Sequence, residues 1–201
     1  MTVDTFKARA AQWDNPDKIA MTQTFLGEML LHLQPQPDWK ALEIGAGTGL
    51  VGLHVAPLVH TLIVEDTSEA MLDVLKLKLA GDNNVEILHG ELFDYQQTDL
   101  DFVFSYMAFH HLPDVEKALQ HIAYMTKLGA YVVVGDLVTE DGSFHRFEPI
   151  PYCGFDTALL SQQFIHAGFA VKLVKIYHVL SRQVNEKLTN YEQFILVAQR
   201  M

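Results

Sequence analysis

Ala41-Leu42-Glu43-Ile44-Gly45-Ala46-Gly47-Thr48-Gly49 is the stretch that decides how this chain folds. Four strand-forming residues run directly into three alternating glycines, and an apolar segment over 50–58 reads as the helix that follows. A strand that turns through glycines into a helix makes a ligand-binding turn, because missing side chains let the backbone bend sharply and approach a ligand closely. The spacing narrows the ligand. A dinucleotide fingerprint places its third small residue at position 50, where the helix packs on the strand and a pyrophosphate sits at the helix N-terminus. Here position 50 is Leu50 and the third glycine is Gly49, so the spacing favours a ligand without a pyrophosphate. Glu43 adds a carboxylate at the mouth of the loop, which repels phosphate and accepts hydrogen bonds from an ammonium group. Asp66 ends the next strand, 21 positions after Gly45, close to the ~20-residue offset at which an acid reaches ribose hydroxyls. Glu65 beside it is the rival, since neighbouring strand residues point to opposite faces.

Outward from this turn the chain alternates strands and helices. Strands are predicted over 41–44, 61–64, 85–88, 102–105, 130–134, 169–179 and 194–199, and helices over 50–58, 68–79, 115–125 and 156–166. Solid Val, Ile and Phe runs, rather than alternating ones, suit a parallel sheet covered on both faces. Before the first strand, Asp14 or Asn15 caps a helix with Pro16 in its first turn, ended by Pro35-Gln36-Pro37. Residues 136–155 break the rhythm with Pro, Gly, acids and aromatics, and read as a substrate loop. The whole, 1–201, reads as a single domain with 1–35 as an N-terminal helical lid.

Composition excludes several classes. The chain has 201 residues, 49% of them hydrophobic, enough for one sizeable core. Lys and Arg total 14 against 25 Asp and Glu, and the net charge of −11 repels a phosphate backbone, so no nucleic-acid partner is expected. No apolar run reaches the ~18 residues of a membrane span, and the polar N-terminus shows no leader, which predicts a cytosolic protein with no membrane partner. Cys153 is the sole cysteine, which excludes an internal disulfide and a thiolate-rich metal site.

The sequence resembles the class I S-adenosylmethionine-dependent methyltransferases, in particular their small-molecule branch of methyltransferase type 11/25. The likeness rests on Glu43-Ile44-Gly45-Ala46-Gly47-Thr48-Gly49, Asp66-Thr67-Ser68-Glu69-Ala70-Met71-Leu72, His89-Gly90-Glu91-Leu92 and Ser105-Tyr106-Met107-Ala108-Phe109-His110-His111-Leu112-Pro113-Asp114. It implies an α/β fold: a Rossmann-like, doubly wound, mostly parallel seven-stranded sheet with helices on both faces and an antiparallel C-terminal strand. It also implies S-adenosyl-L-methionine as cofactor. Gly45, Ala46 and Gly47 would pass under its methionine part with Glu43 near the amino group, and Asp66, followed by Thr67, would hold the ribose. Met71 would pack beneath the adenosine, Glu91 and the backbone of Leu92 would read the adenine edge, and Ser105 and Tyr106 would lie beside the transferable methyl. Trp13-Asp14-Asn15-Pro16 looks like the first helix of this branch, which closes over the cofactor.

The implied chemistry is a direct displacement, which asks the protein mainly to align the reactants and exclude water. A base is needed only for a protonated acceptor, and His110, His111 and His145 are the candidates. No spacing forces these histidines to converge with Asp136 or Cys153, so no metal site is expected. An amide or adenine acceptor usually accompanies an Asn/Asp-Pro-Pro-aromatic motif after the fourth strand in related enzymes. Ser105-Tyr106-Met107-Ala108 stands there instead, which with the acidic charge favours a small organic acceptor. Two rivals remain: an NAD-type oxidoreductase, against which Leu50 counts, and a non-catalytic module that binds the same cofactor. Oligomeric state is not legible.

Overall fold

The computed structural model describes residues 6–79, 81, 84–145 and 150–201. In chain order its elements are α1 (Pro16–His32), β1 (Lys40–Ile44), α2 (Gly52–Val55), β2 (Thr61–Asp66), α3 (Glu69–Lys78), β3 (Val85–His89), β4 (Leu100–Tyr106), α4 (Val115–Met125), β5 (Thr126–Leu137), α5 (Thr157–His166), β6 (Phe169–Val184) and β7 (Lys187–Arg200). All seven strands join one sheet in the order β3-β2-β1-β4-β5-β7-β6. β1 to β5 pair in parallel, and β7 is antiparallel to both β5 and β6. The expected Rossmann-like architecture is the observed one.

Strand periodicity divides the core into two layers, because alternate residues face opposite sides of a sheet. Leu42 and Ile44 of β1, Val103 of β4 and Val132 and Val134 of β5 pack with Leu119 and Ile122 of α4 and Phe164 of α5. Ala41, Phe102, Phe104 and Val133 face the other way, onto Phe25 and Met29 of α1, Val55 of α2 and Leu72 and Leu75 of α3. Each such buried large side chain contributes about 1.5–3 kcal/mol against the entropy of ordering the chain. Helix starts follow the local chemistry: Asn15, Ser68, Asp114 and Asp156 each accept a first-turn backbone N–H through the side chain.

Several elements depart from the reading of the sequence; the fifth strand, expected over 130–134, runs over Thr126–Leu137. The helix expected over 50–58 is α-helical only from Gly52 to Val55 and tightens into a 3-10 turn over Ala56–Leu58. Pro57 has no N–H to continue the α-helical ladder. The last two strands run far beyond their apolar segments as a hairpin closed by Asn185 and Glu186, with φ of 48° and 65°. Two consecutive left-handed residues match the strand twist, so a polar ribbon continues the pairing. Among the described residues no helix is long and apolar enough to cross a membrane.

From β1 the sheet runs through β2 to β3 on one side and through β4 to β5 on the other. The carboxyl ends of β1 and β4 therefore flank the switch point where open α/β sheets bind ligands.

Candidate active site

A cavity of about 1030 Å³ opens at that switch point. Its floor is the turn after β1, where Gly45 and Gly47 have φ of 67° and 55°. A Cβ on Gly45 would stand 2.3 Å from Cβ of Ala108, so the turn is pressed against the segment after β4 and admits only glycine there. The end of β2 fixes the turn from the other side. The N–H of Ala46 donates to the carbonyl of Glu65 (2.8 Å), that of Gly45 to Oε2 of Glu65 (3.3 Å) and that of Gly47 to Oδ2 of Asp66 (2.7 Å).

The two rival acids thus differ in setting. Glu65 is buried, and burial, with the negative charge of Asp66, pushes its carboxyl up to about 8. Asp66 is half-buried at the cavity wall, and its Oδ1 accepts from the N–H of Ser68 (2.8 Å). A carboxylate oxygen can accept more than one hydrogen bond, so these backbone contacts are compatible with a ligand hydroxyl at Asp66. Asp66→Ala is expected to weaken cofactor binding by roughly 10- to 100-fold, a net loss of about 1.4–2.8 kcal/mol of carboxylate–hydroxyl bonding. Calorimetric titration measures this, and an unchanged affinity would assign the ribose to Glu65. Glu43, only 2% exposed, lies against Gly52; burial, then Asp66 and Glu65, raise its carboxyl well above the usual range. These carboxylates gather at one end of the cavity, where a cationic group would relieve them.

The remaining predicted cofactor residues mostly meet this cavity. Ala46, Thr67, Met71, Glu91, Leu92 and Tyr106 line it. Glu91 begins the short turn over Leu92–Asp94, its own N–H donating to Asp94 Oδ2 (2.8 Å). Tyr106 stacks on Phe25 at 4.4 Å, and burial raises its hydroxyl to about 12. Ser105 is the exception: it is 1% exposed, its hydroxyl donates to the carbonyl of Ile44 (3.1 Å), and it does not line the cavity. It joins β4 to β1 instead of facing a methyl group.

The N-terminal segment covers the turn, as a lid would. Trp13 lines the cavity with Lys18 Nζ 3.0 Å above its ring, and Phe6 meets both Trp13 and His111 edge-on. Asp14 receives the Thr48 hydroxyl and pairs with Lys78, which ties this segment to the glycine turn and to α3. Residues 1–5 of the expected lid and 146–149 of the expected substrate loop, with Phe147, lie outside the described residues.

The three histidine candidates come together. His110 is 1% exposed and its Nδ1 stands 2.7 Å from Oδ1 of Asp136, which is fully buried and also accepts the His110 and Leu137 N–H groups. His111 and His145 line the cavity, with ring centroids 4.3 and 4.6 Å from His110. Desolvation, then the charge of His110, lowers His111 to about 4, and desolvation, then His110 and His111, lowers His145 to about 3. The convergence has a tertiary cause: Asp136 anchors His110 from β5, while Ser143 bonds Tyr191 (2.6 Å) and Phe144 packs on Tyr191, folding His145 back. Cys153 is exposed and outside the cluster.

These shifts give a pH profile. A histidine whose folded pKa lies below 6.5 binds fewer protons than in the unfolded chain, so stability rises with pH from about 4 to about 6.5. Glu65, raised from 4.5 to about 8, binds more, so its contribution falls across that window. Above about pH 6.5 only the carboxylate trend remains, and the thermal midpoint is expected to fall from pH 6.5 to 8, less steeply in Glu65→Gln.

Sequence reasoning missed Arg182, Met107 and Gln193. Arg182, 3.9 Å above the Phe144 ring, reaches the cavity from the β6–β7 hairpin; the turn signal at Asn185 could have placed it. Met107 lines the cavity at a φ of 52°, a strained backbone of the sort that gathers at functional sites. Gln193, fully buried, bonds Tyr106.

A family model described as a methyltransferase domain matches residues 42–134. An uncharacterised methyltransferase of Bacillus subtilis, YcgJ, is 27% identical over 152 residues, 73% of this chain and 60% of that protein. The chain spans less than two thirds of the first two curated relatives. Among solved structures, a Haloferax volcanii protein crystallised with a methyltransferase activator superposes with a TM-score of 0.83 over 99% of each chain at 16% identity. An S-adenosylmethionine-dependent methyltransferase of Aquifex aeolicus does so at 0.70, over 97% of this chain and 98% of its own, at 20% identity.

Proposed function

We propose that the chain is a class I S-adenosylmethionine-dependent methyltransferase that methylates a small organic acceptor at an oxygen, carbon or nitrogen atom; the methyltransferase-domain match over residues 42–134 and the methyltransferase relatives support this reading. The observation that carries this reading is the cradle itself: a glycine turn where a Cβ on Gly45 would collide with Ala108, backed by Asp66 and by the buried pair Glu43 and Glu65. This donor set fits S-adenosyl-L-methionine, with Glu43 and Glu65 for its cationic amino-acid end, Asp66 for the ribose and Glu91 with Leu92 for the adenine. When bound, the cofactor would supply a methyl group on a sulfonium, whose carbon an acceptor atom can attack directly as the neutral thioether leaves.

This chain's residues would align the partners and exclude water. Trp13 and its neighbours roof the cavity, and closure of a site strengthens every electrostatic contact inside it. Tyr106, Met107, His111, His145 and Arg182 form the wall on the acceptor side. His110, oriented by Asp136, backs His111 and His145 from behind the cavity wall. His111 and His145 are weak bases at neutral pH and offer neutral nitrogen lone pairs. Incubation with methyl-labelled cofactor and a metabolite extract tests the proposal: a labelled small molecule is expected. Tight cofactor binding without any labelled product would favour a non-catalytic sensor.

A further inference from the structure

We propose that His110, His111 and His145 form a three-nitrogen site for a divalent transition metal ion of the zinc class, at the acceptor end of the cavity. The inference rests on the methyltransferase reading only for the metal's use, not for its binding. One ligand atom from each imidazole lies within 4.8 Å of the other two. Nitrogens bound to zinc at ~2.0–2.1 Å in a tetrahedron stand about 3.4 Å apart, so the cluster must draw in by an ångström or so. His145 sits in a turn between β5 and α5 rather than in a regular element, which leaves it free to make that adjustment.

Three further observations point to a ligand rather than to packing. Among the described residues, Nδ1 of His145 is buried without a hydrogen-bond partner, which is costly for a polar atom unless something binds it. The Asp136–His110 contact reproduces the carboxylate–histidine pair that orients metal ligands: a proton held on Nδ1 leaves Nε2 as the donor atom. His111 and His145 both line the cavity with rings 4.3 and 4.6 Å from that of His110, so an ion entering the cavity can reach them. Imidazole donors with no thiolate and no second carboxylate in the set select zinc-like ions over magnesium or calcium.

Two of the three imidazoles line the cavity, so the fourth position of a tetrahedral site would open toward the acceptor. An oxygen acceptor bound there would lose its proton more readily, because a coordinated cation lowers the pKa of a bound hydroxyl. That removes the demand for a strong base which His111 and His145 cannot meet. The cations nearest the cluster, Arg9 and Arg182, oppose a metal, while Asp136 favours it.

The test titrates Co2+ alone into the tag-free full chain after chelator treatment, following the visible d–d absorption of tetrahedral cobalt. One saturable equivalent per chain, displaced by Zn2+, is expected. His145→Ala should weaken it by about 100-fold or more, and Asp136→Asn by roughly 10- to 100-fold. His111→Asn provides a second ligand variant if another fails to fold, as circular dichroism would show. Absence of the bands, or bands unchanged in folded His145→Ala and His111→Asn, overturns the proposal. Cobalt binding without S-adenosylmethionine binding would instead refute the proposed function and leave the metal site standing, and the converse would do the reverse.

Discussion

Asp136→Ala is expected to cost about 3 kcal/mol or more of folding stability, because it strands three buried donors at about 1–3 kcal/mol each. Asp136 is 0% exposed, and its carboxylate holds the backbone N–H of His110, the His110 ring and the N–H of Leu137. Alanine strands all three donors in a place water does not reach, and each unsatisfied group adds its own desolvation cost of about 1–3 kcal/mol. Asp136→Asn keeps the shape and one acceptor oxygen, so its loss should be clearly smaller. Urea unfolding of the three proteins measures the order. Equal stability of Asp136→Ala and the native chain would mean that the pair does not hold the segment after β4 in place.

Gly45→Ala has the second large effect, and it joins stability to binding. The added Cβ meets Ala108 at 2.3 Å and the backbone sits at a φ of 67°. Overpacking costs about 1–3 kcal/mol and a left-handed non-glycine residue about 1–2 kcal/mol. Relief requires the turn to move off the segment after β4, and that movement takes Gly47 away from Asp66. The thermal midpoint should fall, and cofactor affinity should fall further than the overall destabilisation accounts for. Gly81→Ala, where a Cβ meets nothing within 4 Å, is the control for the left-handed penalty alone, at a φ of 97°.

The sequence announced the sheet and the cradle for the same reason: both are local. Solid apolar strands, the cap before Pro16 and the alternate glycines each act within a few residues, so patterns reveal them. The choice between Glu65 and Asp66 was open because it depends on which face of β2 meets the turn; both touch it, and burial separates them. Ser105 was misplaced because the twist of β4 against β1 turns its hydroxyl toward Ile44 rather than toward the cavity. The histidine cluster was illegible since its members come from two loops and are brought together by Asp136 and Tyr191, 26 and 46 positions away from the histidines they hold. The long hairpin escaped notice because residues 181–190 are mostly polar, and pairing to one another keeps them extended.

A calorimetric titration of the purified chain with S-adenosylmethionine, alongside NAD(H), tests the cradle most directly. Saturable binding of one S-adenosylmethionine per chain, weakened in Asp66→Ala, with no heat from NAD(H), is the predicted result. Binding of the dinucleotide with none of the sulfonium compound would contradict the account at its base.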